Sequence, residues 1–342
     1  MPLPDADLQA LAAGDFTDLA HRFAKGGLWV SLPGTGMLQL QAPRPDATRL
    51  LISVGVHGNE TAPIAMLASV LQGLAQAPMT LAVDLLIVVG NPAAIAQGAR
   101  FVDADLNRLF CAERGALAAS AEAARADALM TASAAFLAAP ATQKWHLDLH
   151  SAVRPSRYAR FAVIPARADD PLQEPLAAWL GSAAIEALLF NSQRAATYSA
   201  FTARAFCASS CTVELGQVAI LGETVSAPLL TTRLALDRLL RGKPPAAGGP
   251  VPVRFRVAQE IIKRSTAFRM NIDDSSHNFT AFAPDMVIAT DGEHIISAGA
   301  ATEYVVFLNP GVPVGQRAGL MVVQADANTP ALHREETRTA GQ

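Results

Sequence analysis

The stretch that decides the fold is residues 54–63, Val-Gly-Val-His-Gly-Asn-Glu-Thr-Ala-Pro. It ends an apolar run that begins at Leu50 and is typical of a buried strand, and a helical pattern follows it. His57 and Glu60 lie between the strand and the helix, three residues apart, so their side chains can converge on one point. Gly58 lets the chain turn tightly between them because it has no Cβ. An imidazole and a carboxylate placed in this way provide two of the three ligands of a His2Glu zinc site.

Two other predicted strands end in residues of the same chemistry. The run 144–150 ends at His150, and the run 211–215 places Glu214 near its end. Because ligands of open α/β sheets gather beyond the carboxyl ends of the strands, we predict one zinc site with a water position and a second carboxylate as general acid/base. His146 is an alternative third ligand, but a histidine in mid-strand is more often a satisfied core residue, which favours His150.

A polar loop at 98–110 contains two arginines, Arg100 and Arg108, with Asn107 beside the second. Two interpretations stay open. In one, the arginines pair with aspartates of the same solvated loop. In the other, Arg108 and Asn107 bind a substrate carboxylate, and Arg100 faces the carbonyl oxygen as an oxyanion donor.

The order of the predicted elements divides the chain. Strands alternate with helices through residues 1–243, which predicts an α/β catalytic domain with a mixed, mostly parallel sheet flanked by helices. The segment 244–250 is rich in glycine and proline and is predicted to be a linker. Period-two alternation over 251–324 predicts a small all-β domain, and 326–342 is predicted to be a polar tail.

Composition argues against several classes of protein. An apolar fraction of 51% and a charged fraction of 17% in 342 residues allow a sizeable core. A net charge of −3 without a basic cluster argues against nucleic acid as a partner. There is no apolar run long enough to span a membrane and no signal-peptide pattern, and the three cysteines are too few for a disulfide framework. We expect a cytoplasmic protein with a small-molecule substrate.

Four motifs, taken in their order and spacing, resemble the succinylglutamate desuccinylase/aspartoacylase family, a branch of the zinc carboxypeptidase-like fold. They are His-Gly-Asn-Glu-Thr at 57–61, Asp-Leu-Asn-Arg at 105–108, Asp-Leu-His at 148–150 and Glu-Leu-Gly at 214–216. The resemblance covers nearly the whole chain, including the C-terminal β region. It implies one Zn²⁺ per subunit, held by His57, Glu60 and His150, with Glu214 as the catalytic acid/base.

The resemblance also implies roles for the polar loop. Arg100 would polarise the scissile carbonyl, and Asn107 and Arg108 would hold a carboxylate. Asp105 matches an aspartate that hydrogen-bonds a zinc-bound histidine in related enzymes, here His57; an exposed loop acid is the alternative.

Two further residues come with open alternatives. Tyr198, with the stretch that follows it to Thr202, either lines an acyl pocket, as the resemblance implies, or has a core or capping role. Arg154 is a further candidate for a substrate carboxylate.

The implied reaction is hydrolysis of the amide of N2-succinyl-L-glutamate to succinate and L-glutamate, a step of arginine catabolism. The alternatives are an aspartoacylase-like deacylase of another N-acyl amino acid and a non-catalytic zinc-binding module. The presence of Glu214 argues against the second alternative. The sequence indicates neither the oligomeric state nor the acyl-chain selectivity.

Overall fold

The computed structural model describes residues 5–44, 47–152, 154–167, 173–217, 227–273 and 275–325. The α-helices are α1 (Asp5–Ala12), α2 (Thr17–Lys25), α3 (Ala62–Ala75), α4 (Pro92–Ala96), α5 (Ala121–Leu137), α6 (Glu174–Ser182), α7 (Tyr198–Phe206) and α8 (Ala227–Leu240). Short 3-10 turns cover Pro78–Thr80, Leu106–Arg108 and Gly115–Ala119.

The strands lie in two parts of the chain. In the first part they are β1 (Trp29–Ser31), β2 (Met37–Gln41), β3 (Arg49–Val54), β4 (Asp84–Val89), β5 (Lys144–Ala152), β6 (Arg160–Pro165), β7 (Ala187–Asn191) and β8 (Ser209–Gln217). In the second they are β9 (Val253–Ile262), β10 (Phe268–Met270), β11 (Thr280–Phe282), β12 (Val287–Asp291), β13 (His294–Ser297), β14 (Glu303–Val306) and β15 (Arg317–Gln324).

The described strands form two sheets. The larger has the order β1-β2-β4-β3-β5-β8-β6-β7-β9-β15-β14-β11, and the smaller has the order β10-β12-β13. The neighbours β4, β3, β5 and β8 are parallel, so their carboxyl ends meet at one edge. The predicted α/β class, with a mixed sheet flanked by helices and an antiparallel β region at the C-terminal end, is confirmed.

Strand β5 has two faces of different chemistry. Trp145, Leu147 and Leu149 belong to a core cluster that also contains residues of α3, α6 and α8. The even-numbered residues from 146 to 150 point to the opposite face, which α5 and α7 cover. Those residues are His, Asp and His, and all three are buried, so this face of the strand requires hydrogen-bond partners.

The larger sheet runs from the first part of the chain into the second. Strand β9 pairs in parallel with β7 and antiparallel with β15, and no regular element lies between α8 and β9. The division into domains with a linker at 244–250 stays a prediction. The predicted tail at 326–342 lies outside the described residues. Among the helices that are described, none has the length and apolar character needed to cross a membrane.

Candidate metal centre

The turn between β3 and α3 depends on two glycines for different reasons. Gly55 has a φ of +61°, in the left-handed region that glycine adopts without strain. Gly58 is outside that region, but a Cβ there would lie 2.2 Å from the backbone carbonyl carbon of Ala94 in α4. The tight turn expected at Gly58 is therefore a close approach between two backbone segments, which excludes any side chain.

His57, Glu60 and His150 come together at the carboxyl edge of the sheet. Their ligand atoms lie within 4.8 Å of one another, and all three side chains are buried. Nδ1 of His57 lies 2.8 Å from Oε1 of Glu60, and Nδ1 of His150 lies 2.8 Å from Oε2. Both rings thus present the same nitrogen to one carboxylate, and the three residues could hold a metal ion.

The other nitrogen of each ring contacts the carboxylate of an aspartate, a different one for each histidine. Nε2 of His57 lies 3.0 Å from Oδ1 of Asp105, and Nε2 of His150 lies 2.9 Å from Oδ2 of Asp148. Asp105 thus contacts His57, and its role in holding a metal-binding histidine stays a prediction. Asp148 has no predicted role, although its spacing of two residues from His150 in one strand puts both side chains on the same buried face.

Glu60 has partners for both of its oxygens. Besides the two imidazoles, it accepts hydrogen bonds from Nη1 of Arg100 at 2.9 Å and from the backbone N–H of Ser151 at 3.1 Å. Burial alone raises the pKa of Glu60, but the charges and hydrogen bonds of His150 and His57 hold it well below its ordinary value. Glu60 is therefore a carboxylate that stays ionised.

Glu214 lies beside this cluster in a different environment. It is the register partner of His150 on the neighbouring strand β8. Its side chain is buried, and its Oε2 has no hydrogen-bond partner within the described part of the chain. Burial, with the charge of Glu60 next in size, raises the pKa of Glu214 to about 7. An acid with that pKa can both accept and donate a proton near neutral pH.

The polar loop brings Arg100 to the cluster and leaves Arg108 at its margin. Half of the Arg108 side chain (51%) is exposed; its Nη2 lies 3.7 Å from Oδ2 of Asp105, and its Nη1 donates to the backbone oxygen of Asn107. The side-chain oxygen of Asn107 accepts the backbone N–H of Tyr198 at 2.8 Å, which ties the loop to the first turn of α7. The substrate-binding roles of Asn107 and Arg108 stay predictions.

Tyr198 itself is fully buried. Its hydroxyl lies 2.6 Å from Oγ of Ser133, and its ring stacks on Phe110 at 4.3 Å. Of the two alternatives for this residue, these contacts favour packing in the core.

Arg317 is a cation near the site that the sequence pattern did not indicate. It begins β15 and donates a hydrogen bond to Oε1 of Glu260 at 3.2 Å. Burial and, next in size, the like charge of Arg108 lower the pKa of Arg317. The C-terminal β region therefore adds positive charge near Arg108, more than 200 residues away in sequence.

Two family models match this chain. Residues 46–240 match the model of the succinylglutamate desuccinylase/aspartoacylase catalytic domain, and residues 251–325 match that of the AstE/AspA barrel-sandwich hybrid domain. This chain belongs to that family. The predicted family is confirmed, and with it the prediction that the chain is a hydrolytic enzyme.

Individual members of the family are similar over most of their length. A succinylglutamate desuccinylase of Burkholderia pseudomallei is 38% identical over 304 residues, covering 87% of this chain and 86% of the relative. One from Erwinia tasmaniensis is 38% identical over 299 residues, covering 87% and 91%. The crystal structure of the Vibrio cholerae succinylglutamate desuccinylase has a TM-score of 0.82 at 33% identity, covering 87% of this chain and 88% of that one.

Proposed function

We propose that this enzyme hydrolyses the amide of N2-succinyl-L-glutamate to succinate and L-glutamate with one zinc ion per subunit, in the cytoplasm. The relatives named succinylglutamate desuccinylase, which are 38% identical to this chain, support the choice of substrate. The observation that carries the proposal is the contrast between the buried His57-Glu60-His150 cluster and the buried Glu214 beside it, whose Oε2 lacks a partner in the described chain.

The residues present fit a zinc ion. His57, Glu60 and His150 would hold it, since two imidazoles and one carboxylate are a common ligand set of catalytic zinc. Each imidazole is held at its other nitrogen by a carboxylate, as is usual for histidines that bind metal. When bound in such a site, zinc lowers the pKa of a water molecule to about 7 and polarises a carbonyl group.

Glu214 moves the proton in this proposal. Its carboxylate accepts a proton from the water that attacks the amide carbon. It then gives that proton to the amide nitrogen as the C–N bond breaks, so that glutamate leaves as an amine. A pKa of about 7 suits both directions of transfer at neutral pH, and burial keeps bulk water from competing for the proton.

The cations around the site suit a substrate with three carboxylates. The protein has a net charge of −3, so attraction for the substrate must come from locally clustered cations. The exposed guanidinium of Arg108 can bind a carboxylate through two parallel hydrogen bonds, and Arg317 adds charge nearby. Arg100, which donates a hydrogen bond to Glu60, would face the scissile carbonyl in this proposal.

The test compares two amides under control of the metal. We expect purified enzyme to release glutamate from N2-succinyl-L-glutamate much faster than it releases aspartate from N-acetyl-L-aspartate. A chelator should abolish the activity, and added zinc should restore it. Preference for N-acetyl-L-aspartate would assign the chain to the aspartoacylase alternative. Zinc binding without turnover of either amide would favour a non-catalytic module, and activity that survives complete metal removal would overturn the zinc mechanism.

A further inference from the structure

A hydrogen-bonded chain of side chains runs from His150, in the His57-Glu60-His150 cluster, into the core. Behind His150, Asp148 accepts a hydrogen bond from the hydroxyl of Ser53 on β3, with Oγ 2.5 Å from Oδ1. Oγ of Ser53 lies 2.8 Å from Nε2 of His146. Nδ1 of His146 lies 2.8 Å from Oγ1 of Thr202 on α7. All five side chains are buried.

The protons in this chain have one consistent arrangement. Ser53 has a single hydroxyl proton, and the short contact to the carboxylate of Asp148 requires it. The serine oxygen must then accept a proton from Nε2 of His146, since two bare lone pairs would otherwise face each other at 2.8 Å. A neutral imidazole protonated at Nε2 has a bare Nδ1, which accepts the hydroxyl proton of Thr202 at 2.8 Å; the backbone oxygen of Ser199, 3.0 Å from the same hydroxyl oxygen, is another acceptor within reach of that proton.

A doubly protonated His146, with the Thr202 hydroxyl donating to the backbone oxygen of Ser199, is the competing arrangement, and the surroundings of His146 oppose it. Burial lowers the pKa of His146 to about 4. The ring also meets the edge of the Tyr198 ring at 4.6 Å between centroids, which fixes its plane. Oγ of Ser210 lies 2.9 Å from Oγ1 of Thr202, so the hydroxyl group at the far end of the chain has a partner as well.

We propose that His146 is a positioning residue for the metal centre and acts through Ser53 and Asp148 to fix which ring nitrogen of His150 faces the metal. The inference rests on the metal site of the proposed function. With both oxygens of Asp148 committed, Oδ1 to Ser53 and Oδ2 to His150, the Nε2 proton of His150 stays on the inner side of the ring. Nδ1 of His150, which faces Glu60 at 2.8 Å, is then the nitrogen that is left to offer its lone pair to a metal once it has given up its proton.

Two observables test this inference. The first is the zinc dissociation constant from competition with a chelator, for wild type, Ser53→Ala, His146→Leu and His146→Gln. We expect Ser53→Ala and His146→Leu to weaken zinc binding about tenfold, the lower end of the range for partners that orient a ligand. His146→Gln should recover most of the affinity, because its amide nitrogen can donate to Ser53 and its oxygen can accept from Thr202.

The matched control is Thr232→Val, which removes a buried threonine hydroxyl bonded to the backbone oxygen of Ala183, away from the cluster. It should lower thermal stability without changing zinc affinity. If His146→Leu does not fold, Ser53→Ala still decides the question, because it removes only one oxygen from the same chain.

The second observable is the proton position itself. Long-range ¹H–¹⁵N spectra of histidine-labelled protein, recorded without and with zinc, should show His146 as the neutral tautomer protonated at Nε2. Native zinc affinity in both Ser53→Ala and His146→Leu, or a His146 protonated at Nδ1, would overturn the inference. A wild type that binds no zinc would overturn it together with the metal site. A wild type that binds zinc, shows the expected tautomer and hydrolyses neither amide would overturn only the proposed function.

Discussion

Glu60 and Glu214 are two buried carboxylates of one site, and the difference between them lies in their neighbours. Glu60 has two imidazoles, a guanidinium and a backbone N–H around its oxygens, which hold its pKa well below the ordinary value. Glu214 has an oxygen with no partner in the described structure, and burial raises its pKa to about 7. The surroundings thus lower the pKa of one carboxylate and raise the pKa of the other, which suits the proposed roles of metal ligand for Glu60 and proton carrier for Glu214.

The largest effect is expected from removing the charge of Glu60. In Glu60→Gln the two histidines keep a side chain of equal size but lose the anion that a cation needs, so zinc affinity should fall by more than about 100-fold. Hydrolysis should fall to background. Zinc content of the purified protein and the rate of glutamate release measure both. The control is Glu174→Gln, which removes a carboxylate paired with Arg254 and should change neither quantity. Full zinc occupancy in Glu60→Gln would contradict its role as a ligand.

Glu214→Gln tests whether Glu214 has a role different from that of Glu60. We expect the zinc content to stay at the wild-type level, because Glu214 is not one of the three ligands. The value of kcat should fall by about 10²–10⁴-fold, the usual contribution of a general acid/base. Retained activity would remove the assignment of Glu214, and loss of zinc would show that the two carboxylates do not have separate roles.

The raised pKa of Glu214 also predicts how the stability of metal-free protein depends on pH. In the folded state its pKa is about 7, above the ordinary 4.5, so the folded protein binds this proton more tightly than the unfolded chain. That stabilisation is fully present below pH 4.5 and is lost as the pH rises through 7. Relative to Glu214→Gln, wild type should lose about 3 kcal/mol of unfolding free energy between about pH 4 and 8. Urea titrations at a series of pH values measure this difference, and parallel curves would contradict the raised pKa.

The smallest effect is expected at Arg108, where the carboxylate belongs to the substrate and not to the protein. Arg108→Lys keeps the positive charge but replaces a planar fork with a point charge, so one of two parallel hydrogen bonds is lost. KM for N2-succinyl-L-glutamate should rise about tenfold, which corresponds to ~1.4 kcal/mol, with kcat nearly unchanged. Steady-state kinetics of Arg108→Lys and Arg108→Ala decide the point, and an unchanged KM in both would place the substrate carboxylate elsewhere.

That His57, Glu60 and His150 lie together was predictable because they stand where predicted strands end, and their role as metal ligands stays a prediction. An apolar run that stops at a histidine reports both a strand and the edge at which its last side chain lies, which is how residues as distant as His57 and His150 could be placed together. Asp105 was also predictable, although through the family resemblance and not through spacing alone.

Contacts that depend on the order of strands or on a distant element were not predictable. The carboxylate of Glu122 accepts the backbone N–H groups of Val102 and Ala104 at 2.7 and 3.0 Å and so fixes the loop that contains Arg100. No periodic pattern links a helix start to a loop twenty residues earlier. Arg317 was missed for the same reason, since its position near Arg108 depends on how the larger sheet ends.

The pairing of β7 with β9 limits how the enzyme can be divided. Every residue of β7 is buried, and β9 supplies the backbone partners along one of its sides. A chain truncated at residue 250 would turn β7 into a bare apolar edge strand, the kind of surface that pairs with other chains and aggregates. The C-terminal strands are therefore not a detachable accessory. Engineering that exchanges the C-terminal strands between relatives has to preserve the pairing of β7 with β9.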